Sequence, residues 1–329
     1  MKSEILEKEA PAPAFSVIIP TYNRAKLLPR AIRSVLDQTF KDFELIIVDD
    51  ASTDDTEAVA AAFDDEKIVY VRRDKNGGNA CAKNAGILRA NGKYIAFLDD
   101  DDEYLPTYLA KMFDALEAAS AIVGFAWCGV YNIDDTSTGE RGLGEELWQP
   151  RYDNREHAYL SFLRSRRISA HNGLTVRRSC FDVVGLFDEN LRKAVDTDFL
   201  IRLIRDFDFI VVPEVLVKYH NHIGARVRTN SIWGAEAYTR IIQKHLDTLL
   251  KHSDLWVALH YKTGWQYYHA GNRMKGRKFI WQAIRKSPLH VKSWSGFLLF
   301  ECFGSMGPHL HQKFAFWKTQ IKSPFRNAD

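Results

Sequence analysis

FSVIIPTYN (residues 15–23), then FELIIVDDAS (43–52) and KYIAFLDDDD (93–102), are the stretches whose reading decides the fold. Each begins as a β-branched and aromatic run that is apolar on both alternating faces, the pattern of a strand covered by helices on both sides. Each ends abruptly in polar residues. Between them lie segments of helical period. Leu27, Leu28, Ile32, Val35 and Leu36 mark one, with Asn23 as its expected N-cap; residues 56–63 form another, headed by Ser52 or Thr53. A third strand at 67–73, the glycine loop KNGGN and a helix over 80–90 continue the alternation, and Pro106 stands near the start of a further helix. Such repetition with short connections implies an α/β fold, a mostly parallel Rossmann-like sheet flanked by helices. Ligands bind such sheets beyond the carboxyl ends of the strands. At that edge fall Pro20-Thr21-Tyr22-Asn23, Asp49-Asp50-Ala51-Ser52 and Asp99-Asp100-Asp101-Asp102, far apart in sequence and expected to converge.

Working outward, residues 1–13 read as a flexible arm. Beyond 120 the pattern is less regular: a strand at 122–131, a polar stretch at 134–144 expected as a variable lid, a strand at 173–178, a helix at 196–207, and two short strands either side of Pro213. From 232 onward only helices are expected, over 233–251, 255–270, 275–286 and 290–303. The division expected is therefore an α/β domain at 14–231, in two halves (14–120 and 121–231), and a C-terminal all-helical extension at 232–329.

The chain of 329 residues is 46% hydrophobic and 26% charged, enough to bury a large core. Its net charge of +3 gives no global reason to bind nucleic acid, and none is expected as a partner. Cys81, Cys128, Cys180 and Cys302 form no C-x-x-C pair, which argues against a zinc site or a disulfide framework and for inert thiols. The opening residues MKSEILEKEAPAPA lack the apolar core of a signal peptide, and no window is long and apolar enough to span a bilayer. The expectation is a cytoplasmic protein, with the inner face of the membrane as a place of peripheral contact.

Four adjacent carboxylates at a strand end repel one another, and a bound cation relieves that repulsion. Oxygen ligands suit Mg²⁺ or Mn²⁺ over zinc or copper. In an extended chain Asp99 and Asp101 face one way and Asp100 the other. Asp49 and Asp50 can accept hydrogen bonds from a base or a ribose, and Tyr22 can stack on a base ring. Asp196 and Asp198 precede a helix, where a carboxylate can serve as base toward an acceptor hydroxyl. His220 and His222 are candidates for the metal or a phosphate, and Arg226, Arg228, Arg72, Arg73, Lys75 and Lys83 for neutralising a diphosphate. Each has a plainer reading: Asp196 as a helix cap, the acidic run as a solvated loop, Tyr22 as an ordinary half-buried tyrosine, and the C-terminal aromatics as helix core.

Taken in order, FSVIIPTYNRAKLLPRAIRSVLDQTFKDFELIIVDDASTDDT, GGNACAKNAGILRANGKYIAFLDDDDEYLP and GLTVRRSCFDVVGLFDENLRKAVDTDFLIRL resemble family 2 glycosyltransferases of the GT-A fold, from about residue 15 to about 231. The resemblance implies inverting, metal-dependent transfer of a sugar from a nucleotide-diphosphate donor, with a UDP-sugar favoured, to a glycan or lipid-linked acceptor, as in cell-surface polysaccharide or lipopolysaccharide synthesis. It places Asp49 and Asp50 at the nucleoside with Pro20, Thr21, Tyr22, Asn23 and Ser52, Asp99 and Asp100 on the donor, and Asp101 on Mn²⁺ or Mg²⁺. The base falls on Asp196, where the family's Glu-Asp pair reads Val195-Asp196. The family's Y-R-x-H reads Tyr219-His220-Asn221-His222, so His222 is the matching metal-site histidine. The Q-x-x-R-W signature of processive synthases is missing, which implies single additions. The helical tail, rich in aromatics, lysine and arginine, is a candidate for contact with a membrane or partner. The alternative is an inactive nucleotide-sugar-binding or scaffolding protein on the same fold. An oxidoreductase would need G-x-G-x-x-G where Pro20-Thr21-Tyr22-Asn23 stands, and a nucleotidyltransferase an early glycine-rich basic loop.

Overall fold

The computed structural model describes residues 12–134, 152, 154–164, 173–221 and 230–303. The chain falls into two compact units, one built from 1–162, 166–190 and 195–225, the other from 163–165, 191–194 and 226–329.

The first unit is an α/β sandwich on one eight-stranded sheet. Its strands are β1 (Phe15–Thr21), β2 (Phe43–Asp49), β3 (Ile68–Arg72), β4 (Tyr94–Phe97), β5 (Glu103–Tyr104), β6 (Val123–Asp134), β7 (Leu174–Arg177) and β8 (Asp208–Asn221), in the order β3-β2-β1-β4-β7-β6-β8-β5. The first four are mutually parallel; β7 runs antiparallel to β4 and β6, and β5 antiparallel to β8. Every residue of β1 is buried, as expected for a strand with helices on both faces. Helix α1 (Leu28–Leu36) carries proline in its first turn and packs Leu28, Ala31, Ile32 and Val35 inward, one stripe of helical spacing. Helices α2 (Thr56–Ala61), α3 (Asn79–Arg89) and α4 (Tyr108–Ala118) follow β2, β3 and β5; α5 (Arg155–Arg164), α6 (Cys180–Val184) and α7 (Val195–Asp206) occupy the later half.

Pro20 sits in a central strand yet breaks nothing. The Ile18 carbonyl accepts from Leu98 N–H and the Thr21 carbonyl from Asp50 N–H, so alternation turns Pro20 toward β4. Pairing of β1 with β4 ends at Ile18 and Phe97, so the missing donor has no strand to serve. The two strands part there, and the acidic turn fills the gap.

Three local expectations are corrected. Asn23 does not cap α1, which begins five residues later after Leu27; it sits at φ 53° and bridges two loops instead. The expected pair of strands around Pro213 is one strand, β8, whose register against β6 jumps from Cys128↔Val212 to Gly129↔Val215. Pro213 and Glu214 bulge out of the ladder, which costs less than ending the strand at a residue without an N–H. The helix expected over 233–251 is two, α8 (Ser231–Lys244) and α9 (Leu246–Lys251), broken at His245.

The second unit is helical: α8, α9, α10 (Ser253–His269), α11 (Arg273–Lys286) and α12 (Val291–Phe303). Asn230 caps α8, its side-chain oxygen accepting from the N–H groups of Ile232 and Trp233 at 3.1 and 3.2 Å. Helices α10 and α11 meet at glycines: a methyl group on Gly264 would come within 2.9 Å of the Gly276 carbonyl oxygen. Trp265, Tyr268, Ile280, Ile284 and Phe300 form the core there, with the Tyr268 and Phe300 rings stacked 3.9 Å apart. No helix among the described residues is long and apolar enough to cross a membrane.

Candidate functional site

The loops after β1 and β2 are laced together. Asn23 N–H donates to Ser52 Oγ at 2.9 Å, and Asn23 Oδ1 accepts from Thr53 N–H at 2.7 Å. Ala51 takes the left-handed conformation at φ 65°, which a non-glycine residue accepts only where its surroundings hold it. The holding is done by Asp49, whose Oδ1 accepts from Ser52 N–H at 2.7 Å. Asp49 is fully buried, and its Oδ2 accepts from the Tyr70 hydroxyl at 2.6 Å and from Arg72 at 2.9 Å. Asp50 faces the glycine loop: it pairs with Arg73 and accepts from the backbone N–H groups of Gly77 and Gly78, the latter at 2.6 Å. Tyr22 leaves 44% of its surface exposed at the same rim.

The extended geometry does not persist through the acidic run. Strand β4 ends at Phe97 and residues 99–102 turn. Asp99 and Asp101 do lie together, and Asp102 joins them; each offers a carboxylate oxygen within 4.8 Å of the others. Asp100 turns the other way and accepts from the Thr21 hydroxyl at 2.7 Å. Burial pushes the Asp100 carboxyl up to about 7; the Thr21 hydroxyl and Arg24 work against that rise, and the charges of Asp101 and Asp99 add to it. Asp102 is likewise held well above the usual carboxylate range by burial, then by Asp99 and Asp101. Arg24 pairs with Asp101 at 3.1 Å. Asp102 accepts from the His220 N–H at 2.8 Å, and the His220 ring meets Glu103 at 2.7 Å. His222, Arg226, Arg228 and nearly all of the expected lid lie outside the described residues.

Asp196 stands in the first turn of α7. Its carboxylate meets the Lys83 ammonium at 2.6 Å, and the same ammonium lies 4.0 Å from Asp99. Lys83, on α3, is 1% exposed and sits over the rings of Phe97 and Phe187 at 5.6 and 5.5 Å. Burial pulls its pKa down, but Asp196 and Asp99 more than offset this, so it lies above the ordinary lysine value. The pair occupies a crevice walled by Leu174, Phe199 and Leu200. Asp198 is held elsewhere. Fully buried, it accepts from Arg202, which also donates to the Leu186 carbonyl.

The structure thus brings Thr21, Asp100, Asp99, Asp101, Asp102, Lys83 and Asp196 into one connected set, with Asp50 tied to the loop that leads into the helix of Lys83. Sequence reasoning weighed Lys83 only as a diphosphate ligand, and had Asp102 in the cation-binding acidic run without singling it out as a ligand beside Asp101 and His222. A signal for Lys83 existed: with Ala80 and Ile87 it falls on the buried face of α3, an uncommon place for lysine without a partner.

The mostly parallel sheet with carboxylates gathered at its carboxyl rim has the architecture of the GT-A glycosyltransferases. Residues 16–180 match the family model for glycosyl transferase family 2. An uncharacterized glycosyltransferase of Rickettsia prowazekii, RP339, is 32% identical over 250 residues, 75% of this chain and 76% of that protein. Escherichia coli K12 WcaA, assigned to colanic acid biosynthesis, is 31% identical over 241 residues, 71% of this chain and 82% of WcaA. Among solved structures, Staphylococcus aureus TarS residues 1–349 with UDP-GlcNAc superposes with a TM-score of 0.64 at 17% identity, covering 89% of this chain and 88% of that one. The chain belongs to glycosyltransferase family 2.

Proposed function

We propose that this glycosyltransferase moves a sugar from a nucleotide-diphosphate donor, a UDP-sugar in preference, to a glycan or lipid-linked acceptor, with inversion at the anomeric carbon, in cell-surface polysaccharide or lipopolysaccharide synthesis. The observation that carries this reading is the juxtaposition of a three-carboxylate turn with a single carboxylate, Asp196, through one buried lysine. Similarity to WcaA supports the polysaccharide setting, and the fold shared with UDP-GlcNAc-bound TarS supports the donor class.

The oxygen-only donor set of Asp99, Asp101 and Asp102 fits Mn²⁺ or Mg²⁺, with Asp101 as the principal ligand. When bound, such an ion neutralises the charge of a departing diphosphate. Pro20 and Thr21 end β1, Asn23 shapes the loop that follows, and Tyr22 offers its ring to the base. Asp49, Asp50 and Ser52 hold the second loop and the glycine N–H groups where the nucleoside would lie, and Asp100 holds Thr21 in place. Asp196 accepts the proton of the acceptor hydroxyl as that oxygen bonds to the anomeric carbon and the bond to the phosphate oxygen breaks. Lys83, at 2.6 Å, fixes the direction of the Asp196 carboxylate.

A panel of nucleotide sugars, assayed for nucleoside-diphosphate release with Mn²⁺, Mg²⁺ or EDTA, tests the reading, with the product anomer read by NMR. The expected result is ion-dependent release from one donor and an inverted product. Equal release in EDTA refutes the metal role; a retained anomer refutes Asp196 as a single-displacement base.

A further inference from the structure

The 30 residues from Gly271 to Phe300 contain seven basic side chains (Arg273, Lys275, Arg277, Lys278, Arg285, Lys286, Lys292) and no acidic one, in a chain whose net charge is only +3. Arg273 and Arg277 are spent on Glu301. Lys278, Arg285, Lys286 and Lys292 are exposed and have no ion-pair partner among the described residues.

The same hairpin of α11 and α12 carries six of the twelve exposed large apolar side chains found among the described residues: Met274, Trp281, Leu289, Val291, Trp294 and Leu298. They are not scattered. Met274, Lys278, Trp281 and Arg285 recur at helical spacing on one face of α11, and Val291, Trp294 and Leu298 on one face of α12. The rings of Trp281 and Trp294 meet edge to face at 6.2 Å, joining the two stripes. Leu289, at 92% exposure, projects from the turn between the helices. Trp294 donates its indole N–H to the Pro288 carbonyl at 2.7 Å, which fixes the ring beside that leucine. The unit's core is complete without these residues, since Trp265, Tyr268, Ile280, Ile284 and Phe300 fill it.

An apolar, tryptophan-bearing face rimmed by unpaired cations is the chemistry of a helix pair lying in the headgroup region of a bilayer. We propose that the α11–α12 hairpin docks on the surface of an anionic phospholipid membrane, with Trp281, Leu289, Val291, Trp294 and Leu298 at the acyl boundary and Lys278, Arg285, Lys286 and Lys292 at lipid phosphates. The aliphatic share of the face sets the occupant: leucine, valine and methionine offer a polyanion such as RNA nothing, whereas acyl chains receive them. This docking stands apart from the catalytic reading, since no residue of the hairpin belongs to the sugar-transfer site.

The test is co-sedimentation of the full chain with sucrose-loaded vesicles of phosphatidylcholine alone or mixed with phosphatidylglycerol. The wild type should partition onto the anionic vesicles, weakly onto the neutral ones, and less as salt rises. Lys286→Gln with Lys292→Gln should lower partitioning by about fivefold per residue, roughly 25-fold together. Brominated acyl chains should quench wild-type tryptophan emission, and Trp281→Phe with Trp294→Phe should lose most of that quenching while its circular dichroism stays native. Failure of the wild type to sediment with anionic vesicles at low salt overturns the proposal. So does unchanged partitioning of the lysine variant, or a preference for short RNA over vesicles.

Discussion

Replacing Lys83 with methionine keeps the length of the side chain and removes its charge. In the native state that charge is 1% exposed and lies 2.6 Å from Asp196 and 4.0 Å from Asp99. Removing one partner of a buried pair costs about 3–5 kcal/mol, because the other is left uncompensated. Asp196 keeps about a quarter of its side chain exposed and can recruit water, so the low end, about 3 kcal/mol, applies here. Asp196→Asn should cost a similar amount, since it strips the nearer of two counter-ions from a fully buried ammonium. The double variant removes both charges and should cost far less than the sum, with a coupling of about 2–3 kcal/mol. Urea unfolding of the four proteins, followed by circular dichroism, closes the cycle. Additivity within about 0.5 kcal/mol would refute the pairing as an energetic unit. Lys83→Arg keeps the charge but must fit a larger head between Phe97 and Phe187, so partial recovery is expected.

Asp196→Asn should retain donor binding by calorimetry, in metal, and lose transfer by a factor on the order of 10² or more; normal transfer would remove Asp196 as the base. Gly92→Ala places a methyl group 2.4 Å from the Ser16 nitrogen and 2.5 Å from the Phe15 carbonyl carbon, backbone atoms that cannot yield. It should destabilise by about 2–3 kcal/mol, a fall in Tm of roughly 5–10 °C by scanning calorimetry. Thiol titration of the native protein should modify the exposed Cys302 quickly and Cys81 slowly, because burial and Glu189 hold the Cys81 thiol above its ordinary pKa. Cys128 and Cys180 should react only on unfolding, the Cys180 thiol being pushed up to about 12 by burial.

How far the site was legible can be followed residue by residue. The three rim clusters are visible because strands end where an apolar run meets carboxylates, and a parallel sheet puts those ends on one side. The direction of each carboxylate is not visible. Asp49 and Asp50 are neighbours, yet one is consumed by Ser52, Tyr70 and Arg72 and the other by Arg73 and the glycine loop. Asp196 and Asp198, two residues apart on one helix, divide in the same way between Lys83 and Arg202. The C-terminal aromatics read as core, and Trp265, Tyr268 and Phe300 are; Trp281 and Trp294 face outward.

By itself the sequence determined the α/β alternation, the strand ends that carry the acids and the helical character of the C-terminal region, because periodicity and capping are written in residues a few positions apart. Only the tertiary structure decided that β7 enters antiparallel beside β4, that β8 runs through Pro213 as a bulge, that Asp102 joins Asp99 and Asp101, and that Lys83 reaches Asp196 across 113 positions of sequence. Those outcomes depend on which chain segments become neighbours once the core is packed. A buried charge must find its counter-ion among the groups that packing supplies, and local pattern carries no record of them.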